Sequence, residues 1–328
     1  MRARALVAPI ALLVALAGCG GAPPKAAAGR AAPGAHVERD VDPADLFPID
    51  LDLVVRIDVG RMRAGIGPAA ADALSKRALQ ESAEPELREA LGSADVVWIA
   101  ARAAELDGGD RIVVVEGRTS MPELAAARWE RVRSLNGRLR IFDRTDGAPR
   151  TGTARIINLS NRAAAFVSPV ELDAVRRILD AGPDERRGNP RAEGLVSLDL
   201  RTSRLPPALE KKYAAISAVL AGVERVRGTA VLVDEGVKID AQVLGATVAG
   251  AERAARFLEA MRDSLAAVPR FAAAARDVRV EQVEKTVQVR LTVPSKAVLA
   301  MMAGDEPAAP PVTAPEPAPK PPATPRKR

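Results

Sequence analysis

The sequence predicts an α+β fold in which antiparallel sheets are backed by helices. Several segments alternate between apolar and polar residues, a pattern typical of strands that are covered on one face only. Capped amphipathic segments separate these strands and indicate helices. The elements recur in the order β-α-β-β-α-β-β-α at residues 46–182 and again at residues 192–303, which predicts two tandem modules.

The strands give the clearest pattern. Apolar residues occupy every odd position from Leu51 to Val59, and Asp52, Arg56 and Asp58 face the other way. The same alternation appears at residues 196–200, 237–243 and 287–293. Sheets with one solvated face are usually antiparallel. We therefore expect one set of side chains to pack against helices (Val55, Ile57, Leu198 and Val289) and another to point away from that core, on the solvated face (Arg56, Asp58, Asp199 and Arg290).

Two helices are predicted to begin at capping boxes. Ser120 precedes Glu123 by three residues, and Ser168 precedes Glu171 by three with Pro169 between them. A third predicted helix ends at Gly222. The apolar stripes of the three helices are Ala125, Trp129 and Val132, then Leu172, Val175 and Leu179, and finally Leu209, Tyr213, Ile216 and Leu220.

Turn residues and glycines stand at matching places in the two modules. Hairpin turns are predicted at residues 107–110 and 234–236, followed by Gly117 and Gly245. Each module then ends in a short helix, which opens at Ser168-Pro169 in the first module and near Pro294 in the second. Identity between the halves is low, so chance similarity between two α+β segments stays an alternative to duplication. The charged residues 184–190 form the predicted boundary.

The N-terminus carries a basic region, an apolar run from Ala5 to Ala17 and the box Leu16-Ala17-Gly18-Cys19. The run is too short to span a bilayer. In this box the chain resembles bacterial lipoproteins. The resemblance implies a signal peptide at residues 1–18, acylation of Cys19 and a membrane anchor, and Gly20 after the cysteine favours the outer membrane, facing the periplasm or the cell surface. An ordinary secretory signal with a chance cysteine, or a core cysteine, is the alternative.

Two terminal segments have compositions unlike a packed domain. Gly, Ala and Pro dominate the start of residues 19–45, which we interpret as a flexible tether that follows the lipid. Residues 304–328 are rich in proline, which favours polyproline II and predicts a disordered tail. The tail is interpreted as a solvated spacer, and contact of Arg326–Arg328 with an anionic envelope polymer is the alternative.

The formal net charge of +6 does not indicate a nucleic-acid partner. Eight basic residues lie in the signal, the tether or the tail: Arg2, Arg4, Lys25, Arg30, Lys320, Arg326, Lys327 and Arg328. Basic and acidic residues nearly cancel over residues 31–303. A phosphate binder needs a basic stripe, and the charge count of this span indicates none.

No catalytic or metal-binding motif is found in the sequence. The single histidine, His36, lies in the tether, so a catalytic triad or a Cys/His zinc site is not expected in the folded part. Asp40, Asp42 and Asp45 lack the glycine turn and distal glutamate of a calcium loop. Asp58 and Asp199 could form a carboxylate pair, but a solvated or helix-capping role is the favoured interpretation. We expect no cofactor, no metal and no catalytic residue.

Aromatic residues make up only 2% of the chain, which weighs against a ligand pocket. Trp98 in a strand and Trp129 on a helix are interpreted as core residues. The sequence therefore favours a non-enzymatic, lipid-anchored envelope protein that binds an envelope protein or polymer or serves in assembly. A periplasmic carrier of a hydrophobic ligand is the alternative, and a carboxylate-based hydrolase is a further one. A broad polar sheet face would favour the binding module, and converging carboxylates with raised pKa values would favour the hydrolase.

Overall fold

A computed structural model describes residues 42–68, 84–102, 110–117, 124, 127–132, 139–149, 152–183, 194–201, 210, 214–234, 236–267 and 272–294. The described residues form one antiparallel sheet of twelve strands. The strands are β1 (Leu53–Asp58), β2 (Ala94–Ala101), β3 (Arg111–Gly117), β4 (Trp129–Val132), β5 (Arg140–Arg144), β6 (Arg155–Asn158), β7 (Ala163–Val167), β8 (Val196–Leu200), β9 (Val223–Val233), β10 (Gly236–Gly245), β11 (Arg279–Val283) and β12 (Thr286–Pro294).

The strand order is β11-β12-β10-β9-β8-β1-β2-β3-β7-β6-β5-β4. Strands β1 and β8 pair in the middle, with Val55 opposite Leu198, so the two halves of the chain share one continuous sheet. The first half adds β2, β3, β7, β6, β5 and β4 outward from β1, and the second half adds β9, β10, β12 and β11 outward from β8. The predicted antiparallel arrangement is confirmed.

One face of the sheet is covered by helices along both halves. These are α1 (Val59–Gly65), α2 (Pro85–Gly92), α4 (Ala214–Leu220) and α5 (Val248–Ala266), with α6 (Ala272–Arg276) beside α5. We call this the helical face. Its core contains Val55, Ile57, Leu198 and Val289, as predicted, together with residues of the helices such as Met62. No helix among the described residues is long and apolar enough to cross a membrane.

Among the described residues, the opposite face has a second core, which lies in the first half. There the 3₁₀ helices Pro43–Leu46 and Pro169–Glu171 and the helix α3 (Leu172–Ala181) lie over strands β1 to β3 and β5 to β7. Leu46 and Val175 pack against Val54 and Trp98 in this core. The first half is therefore a sheet between two apolar layers. Two buried faces explain why all six residues of β1 are buried.

The structure corrects the predicted order of elements in the first module. Trp129–Val132 is strand β4, not part of a helix, although Trp129 is a core residue as expected. Four strands, β4 to β7, follow Gly117 where two were predicted. Because β4 pairs with β5 along the edge of the sheet, cross-strand pairing determines the structure of this segment.

The predicted helix after Pro169 is present, but its capping box is not formed. Ser168 Oγ accepts a hydrogen bond from the Arg111 amide across the sheet, at 3.1 Å. The Glu171 carboxylate bonds to Arg102 instead of the helix start. Leu172, Val175 and Leu179 pack on the second core as predicted.

Other predicted features are confirmed or lie outside the described residues. Gly236 opens β10 after the β9–β10 hairpin, and Gly245 precedes α5, whose cap is Thr247. Ile216 and Leu220 lie on α4 and pack on the helical-face core. Outside the described residues lie the turn at 107–109, the boundary at 184–190, the short helix near Pro294, and Ser120, Glu123, Ala125, Leu209 and Tyr213.

Candidate binding surface

Arg56, Asp58 and Asp199 point away from the helical-face core, as predicted, but the expectation that their face of the sheet is solvated is wrong. Each of these three residues is buried, whereas Arg290 on β12 is exposed as expected. The three lie near the line where β1 pairs with β8, on the face opposite the helices. Buried charges need partners: Arg56 pairs with Asp58, and Asp199 pairs with Arg225.

Asp58 is held by an arginine and by a helix start. Its Oδ2 accepts a hydrogen bond from Arg56 Nη2 at 3.1 Å, and its Oδ1 accepts one from the Arg61 amide at 2.9 Å. The second contact caps α1, so the predicted capping role is confirmed. The Arg56 guanidinium lies 5.5 Å from the ring centroid of Trp98 and also donates to the Gly194 carbonyl. Asp58 therefore serves the fold.

Asp199 is surrounded by three arginines. Arg225 donates two hydrogen bonds to its carboxylate, from Nε at 2.7 Å and from Nη2 at 2.6 Å. Arg201 Nε lies 3.5 Å and Arg227 Nε lies 3.9 Å from the same carboxylate. One negative charge thus faces three positive charges. We call Asp199, Arg201, Arg225 and Arg227 the arginine cluster.

The cluster carries two features of an incompletely paired cationic site. Arg201 Nε is buried and has no hydrogen-bond acceptor among the described residues. Burial lowers the pKa of Arg227, and repulsion from Arg225 and Arg201 lowers it further, although Asp199 opposes the change. A guanidinium stays protonated at physiological pH despite such a shift. The excess positive charge therefore persists.

The arginine cluster continues into a polar surface on β9, β10 and β12. Arg227 pairs with Gln242 and Gln242 with Gln288 across the strands, while Thr229 pairs with Asp240 and Asp240 with Arg290. We call this surface the polar face. Its members are Ser197, Asp199, Arg201, Arg225, Arg227, Thr229, Lys238, Asp240, Gln242, Gln288 and Arg290.

Charge on the polar face is mixed, with an excess of basic groups. Asp240 lies 3.1 Å from Lys238 Nζ and 3.9 Å from Arg290 Nε. The face thus has five basic residues and two carboxylates. Arg279 and Glu281 extend it onto β11 with one charge of each sign. An isolated ion pair at a surface contributes little stability, so folding alone gives little reason for this concentration of charge.

A second charged cluster lies in the first half, around Arg102. Its guanidinium contacts Glu171 Oε1 at 3.0 Å, Asp50 Oδ2 at 2.7 Å and Asp110 Oδ2 at 4.0 Å. Burial raises the pKa of Glu171, and Asp50 and Asp110 raise it further, although Arg102 opposes them. The Glu171 side chain has no exposed surface. Through Arg102, these carboxylates connect the ends of the strands to the second core. Because the Glu171 side chain is fully buried, a polymeric substrate could not reach it.

The predicted lipidation site, Cys19, lies outside the described residues, and so do the tether residues His36 and Asp40. Asp42 caps the first 3₁₀ helix by accepting from the Ala44 amide. Within the described ranges, no group of three or more His, Cys, Asp or Glu is arranged to hold a metal ion.

Arg225 and Arg227 are site residues that the sequence interpretation missed. They stand two positions apart in the segment Val223-Glu224-Arg225-Val226-Arg227, and this spacing places both on one face of a strand. Basic and acidic residues nearly cancel over residues 31–303, so the charge count did not indicate this local excess of positive charge.

Comparison with known proteins shows similarity only at the level of solved structures. No protein-family model matches the chain, and no curated protein matches its sequence. Crystal form I of TP0453 is similar with a TM-score of 0.47 and 9% identity, covering 81% of this chain and 99% of that one. Crystal form III gives 0.48 and 9%, covering 80% and 98%. Crystal form IV gives 0.45 and 9%, covering 80% and 97%.

Proposed function

We propose that the chain is a non-enzymatic, lipid-anchored binding module of the cell envelope and that the polar face is its contact surface. The observation that carries this proposal is the polar face itself. The described helices of the second half lie on the opposite side of the sheet, and Arg227 and Arg290 are exposed. A polar sheet face with excess charge is suited to a partner of complementary charge.

The proposed anchor rests on the box that ends at Cys19. Residues 1–18 act as a signal peptide, acyl chains on Cys19 hold the mature protein in the outer membrane, and residues 19–45 act as a tether. Multiple acyl chains give stable membrane attachment, which a single chain does not. The tether and the tail at 304–328 leave the folded part free to meet an envelope protein or polymer, and nucleic acid is not the expected partner.

The proposed architecture is a duplication, with modules at residues 46–182 and 192–303. Its support is the strand order, since β1-β2-β3-β7-β6 in the first half has the same pattern of neighbours as β8-β9-β10-β12-β11 in the second. On this proposal the hairpin β4–β5 is an addition to the first module. The two modules then differ in what covers the face opposite the helices.

The anchor is tested by the substitution Cys19→Ala. We expect the variant to lose acylation and to accumulate as uncleaved or mislocalised precursor, which metabolic labelling with a fatty acid and membrane fractionation would measure. A processed, detergent-extractable variant that still fractionates with membranes would show that the lipid anchor is wrong. On this proposal Cys19 belongs to the tether, so we expect the folded part to be unaffected.

The contact surface is tested by crosslinking in cells. A photoreactive amino acid at Gln242 on the polar face should capture an envelope partner, identified by mass spectrometry. The matched control is the same amino acid at Glu259, an exposed position of α5 on the helical face. Equal capture from both positions, or capture from Glu259 alone, would rule out the polar face as the contact surface.

A further inference from the structure

We propose that the arginine cluster is an anion site that binds carboxylate side chains of an acidic protein surface. This inference rests on the proposed function and specifies the chemistry of the partner. Four observations support it: the number of cations around Asp199, the exposure of Arg227, the buried Nε–H of Arg201, and the mixture of charges on the rest of the polar face.

The first step concerns the way in which Asp199 is used. Arg225 occupies both carboxylate oxygens with short hydrogen bonds, at 2.7 and 2.6 Å. Asp199 is buried, so the Asp199–Arg225 ion pair lies at the bottom of the cluster. These two bonds use about two of the four lone-pair sites of the carboxylate. The Nε atoms of Arg201 and Arg227 lie farther from it, at 3.5 and 3.9 Å.

The second step concerns the N–H donors of Arg227 and Arg201. The Arg227 side chain is 52% exposed, and among the described residues its nearest carboxylate oxygen lies 3.9 Å away. The Nε–H of Arg201 is buried and has no hydrogen-bond acceptor in the part of the chain that the structure describes. An unpaired buried donor costs free energy that an incoming oxygen atom would recover. A carboxylate placed between these two guanidiniums would neutralise half of the cluster's excess charge.

The third step concerns the type of anion. A polymer with a continuous row of phosphates would place negative charge close to Asp240, which lies between Lys238 and Arg290. The side-chain amides of Gln242 and Gln288 can both donate and accept hydrogen bonds. A protein surface can offer carboxylates opposite the arginines and donors opposite Asp240. The mixed pattern of the polar face therefore favours an acidic protein over a uniform polyanion.

The test measures binding of the full chain to four probes. These are a random copolymer of glutamate and alanine, inorganic polyphosphate, duplex DNA, and phosphatidylglycerol vesicles. We expect the copolymer to bind most tightly, and we expect its affinity to fall as salt screens the charges. Tighter binding of polyphosphate or DNA would show that the partner is a phosphate polymer and not a protein. Tighter binding of the vesicles would show that the partner is a lipid surface. Binding of none of the four probes would overturn the proposal.

Three variants locate the site on the chain. We expect Arg227→Gln to weaken copolymer binding about five- to tenfold, the loss of one charge-assisted contact. Asp240→Asn should strengthen binding about two- to threefold, because Lys238 and Arg290 lose a competing carboxylate. Arg262→Gln, an arginine on α5 that contacts its neighbour Asp263, is the matched control and should have no effect. Equal effects of Arg227→Gln and Arg262→Gln would overturn the assignment.

The failure of this inference can be told apart from the failure of the proposed function. If capture from Gln242 persists while Arg227→Gln leaves copolymer binding unchanged, the polar face is the contact surface but the arginine cluster is not its anion site. If copolymer binding depends on Arg227 while Gln242 captures nothing in cells, the anion site stands and the proposed envelope contact is wrong. Circular dichroism of each variant checks that the fold is unchanged.

Discussion

The two halves of the sheet present the same face to different surroundings. In the first half, the face opposite the helices is covered by the second core, which contains Leu46 and Val175. In the second half, the same face has polar residues, and Arg227 and Arg290 on it are exposed. A sheet buried on both faces needs apolar or fully paired side chains, whereas a face open to solvent can retain excess charge for a partner.

The line between the two regions runs along β1 and β8. Asp58 on β1 and Asp199 on β8 are both buried, but their partners differ. Asp58 contacts two arginines, Arg56 at 3.1 Å and Arg61 at 3.5 Å, and also accepts a hydrogen bond from the Arg61 amide at the start of α1. Asp199 is surrounded by three arginines. On the proposed function, charge on the first-half side stabilises the fold and charge on the second-half side contacts the partner.

The largest expected effect comes from the core that both halves share. Ile57 is 3% exposed on the helical face of β1, next to β8. The substitution Ile57→Asp places an unpaired carboxylate there and should cost about 4 kcal/mol or more, a large part of the stability of a typical domain. Because β1 joins the halves, we expect urea unfolding to show loss of structure in both.

The control for this experiment is Val283→Asp. Val283 on β11 is 63% exposed, so the same chemical change should alter the unfolding free energy by no more than about 0.5 kcal/mol. If Ile57→Asp unfolded only the first half and left the strands after β8 with native circular dichroism, the continuous sheet would not be a cooperative unit.

An arginine from each region provides the most direct comparison. Arg56→Ala removes the main partner of the buried Asp58 and should cost about 2–4 kcal/mol. Arg227→Ala removes an exposed side chain of the same type on the same face and should change stability by less than about 1 kcal/mol. Chemical denaturation measures both. Equal costs would show that the two regions do not differ in the way their charges are used.

The alternation of apolar and polar residues was enough to predict strands β1, β8, β10 and β12, because side chains alternate between the two faces of any strand. It did not predict what covers each face. Val54 breaks the alternation in β1 and belongs to the second core. An apolar residue at that position is a local indication that β1 is buried on both faces. Burial on both faces explains why Arg56 and Asp58 are not solvated.

Pairing between distant segments was beyond the reach of local patterns. Strand β1 pairs with β8 about 140 residues later, and neither strand carries a residue that specifies the other. Trp129 stands at helical spacing from Ala125 and Val132, but its neighbours on β5 place it in a strand. The arginine cluster likewise combines the end of β8 with β9. The arginines can be identified in the sequence, but the register of β8 against β9 determines that they lie around Asp199.

The smallest expected effect is a pH dependence confined to the first half. The pKa of Glu171 is raised in the folded protein, chiefly by burial, so the folded state binds a proton at this site more tightly than the unfolded state does. Stability from this site is therefore greatest below the unfolded pKa and falls as pH rises through the folded pKa. The charged groups facing Glu171 are Arg102, Asp50 and Asp110, and only Arg102 favours its ionised form.

The substitution Glu171→Gln removes this ionisation and keeps an oxygen that can accept from Arg102. We expect the unfolding free energy of the variant, relative to the wild type, to increase as the pH rises above the ordinary pKa of a glutamate, about 4.3. Glu89→Gln, at an exposed position of α2, is the matched control and should give a flat difference. A flat difference for Glu171→Gln as well would mean that the second core does not disfavour the charge. The contrast between a first half that restricts charge and a second half that displays it would then rest on the arginines alone.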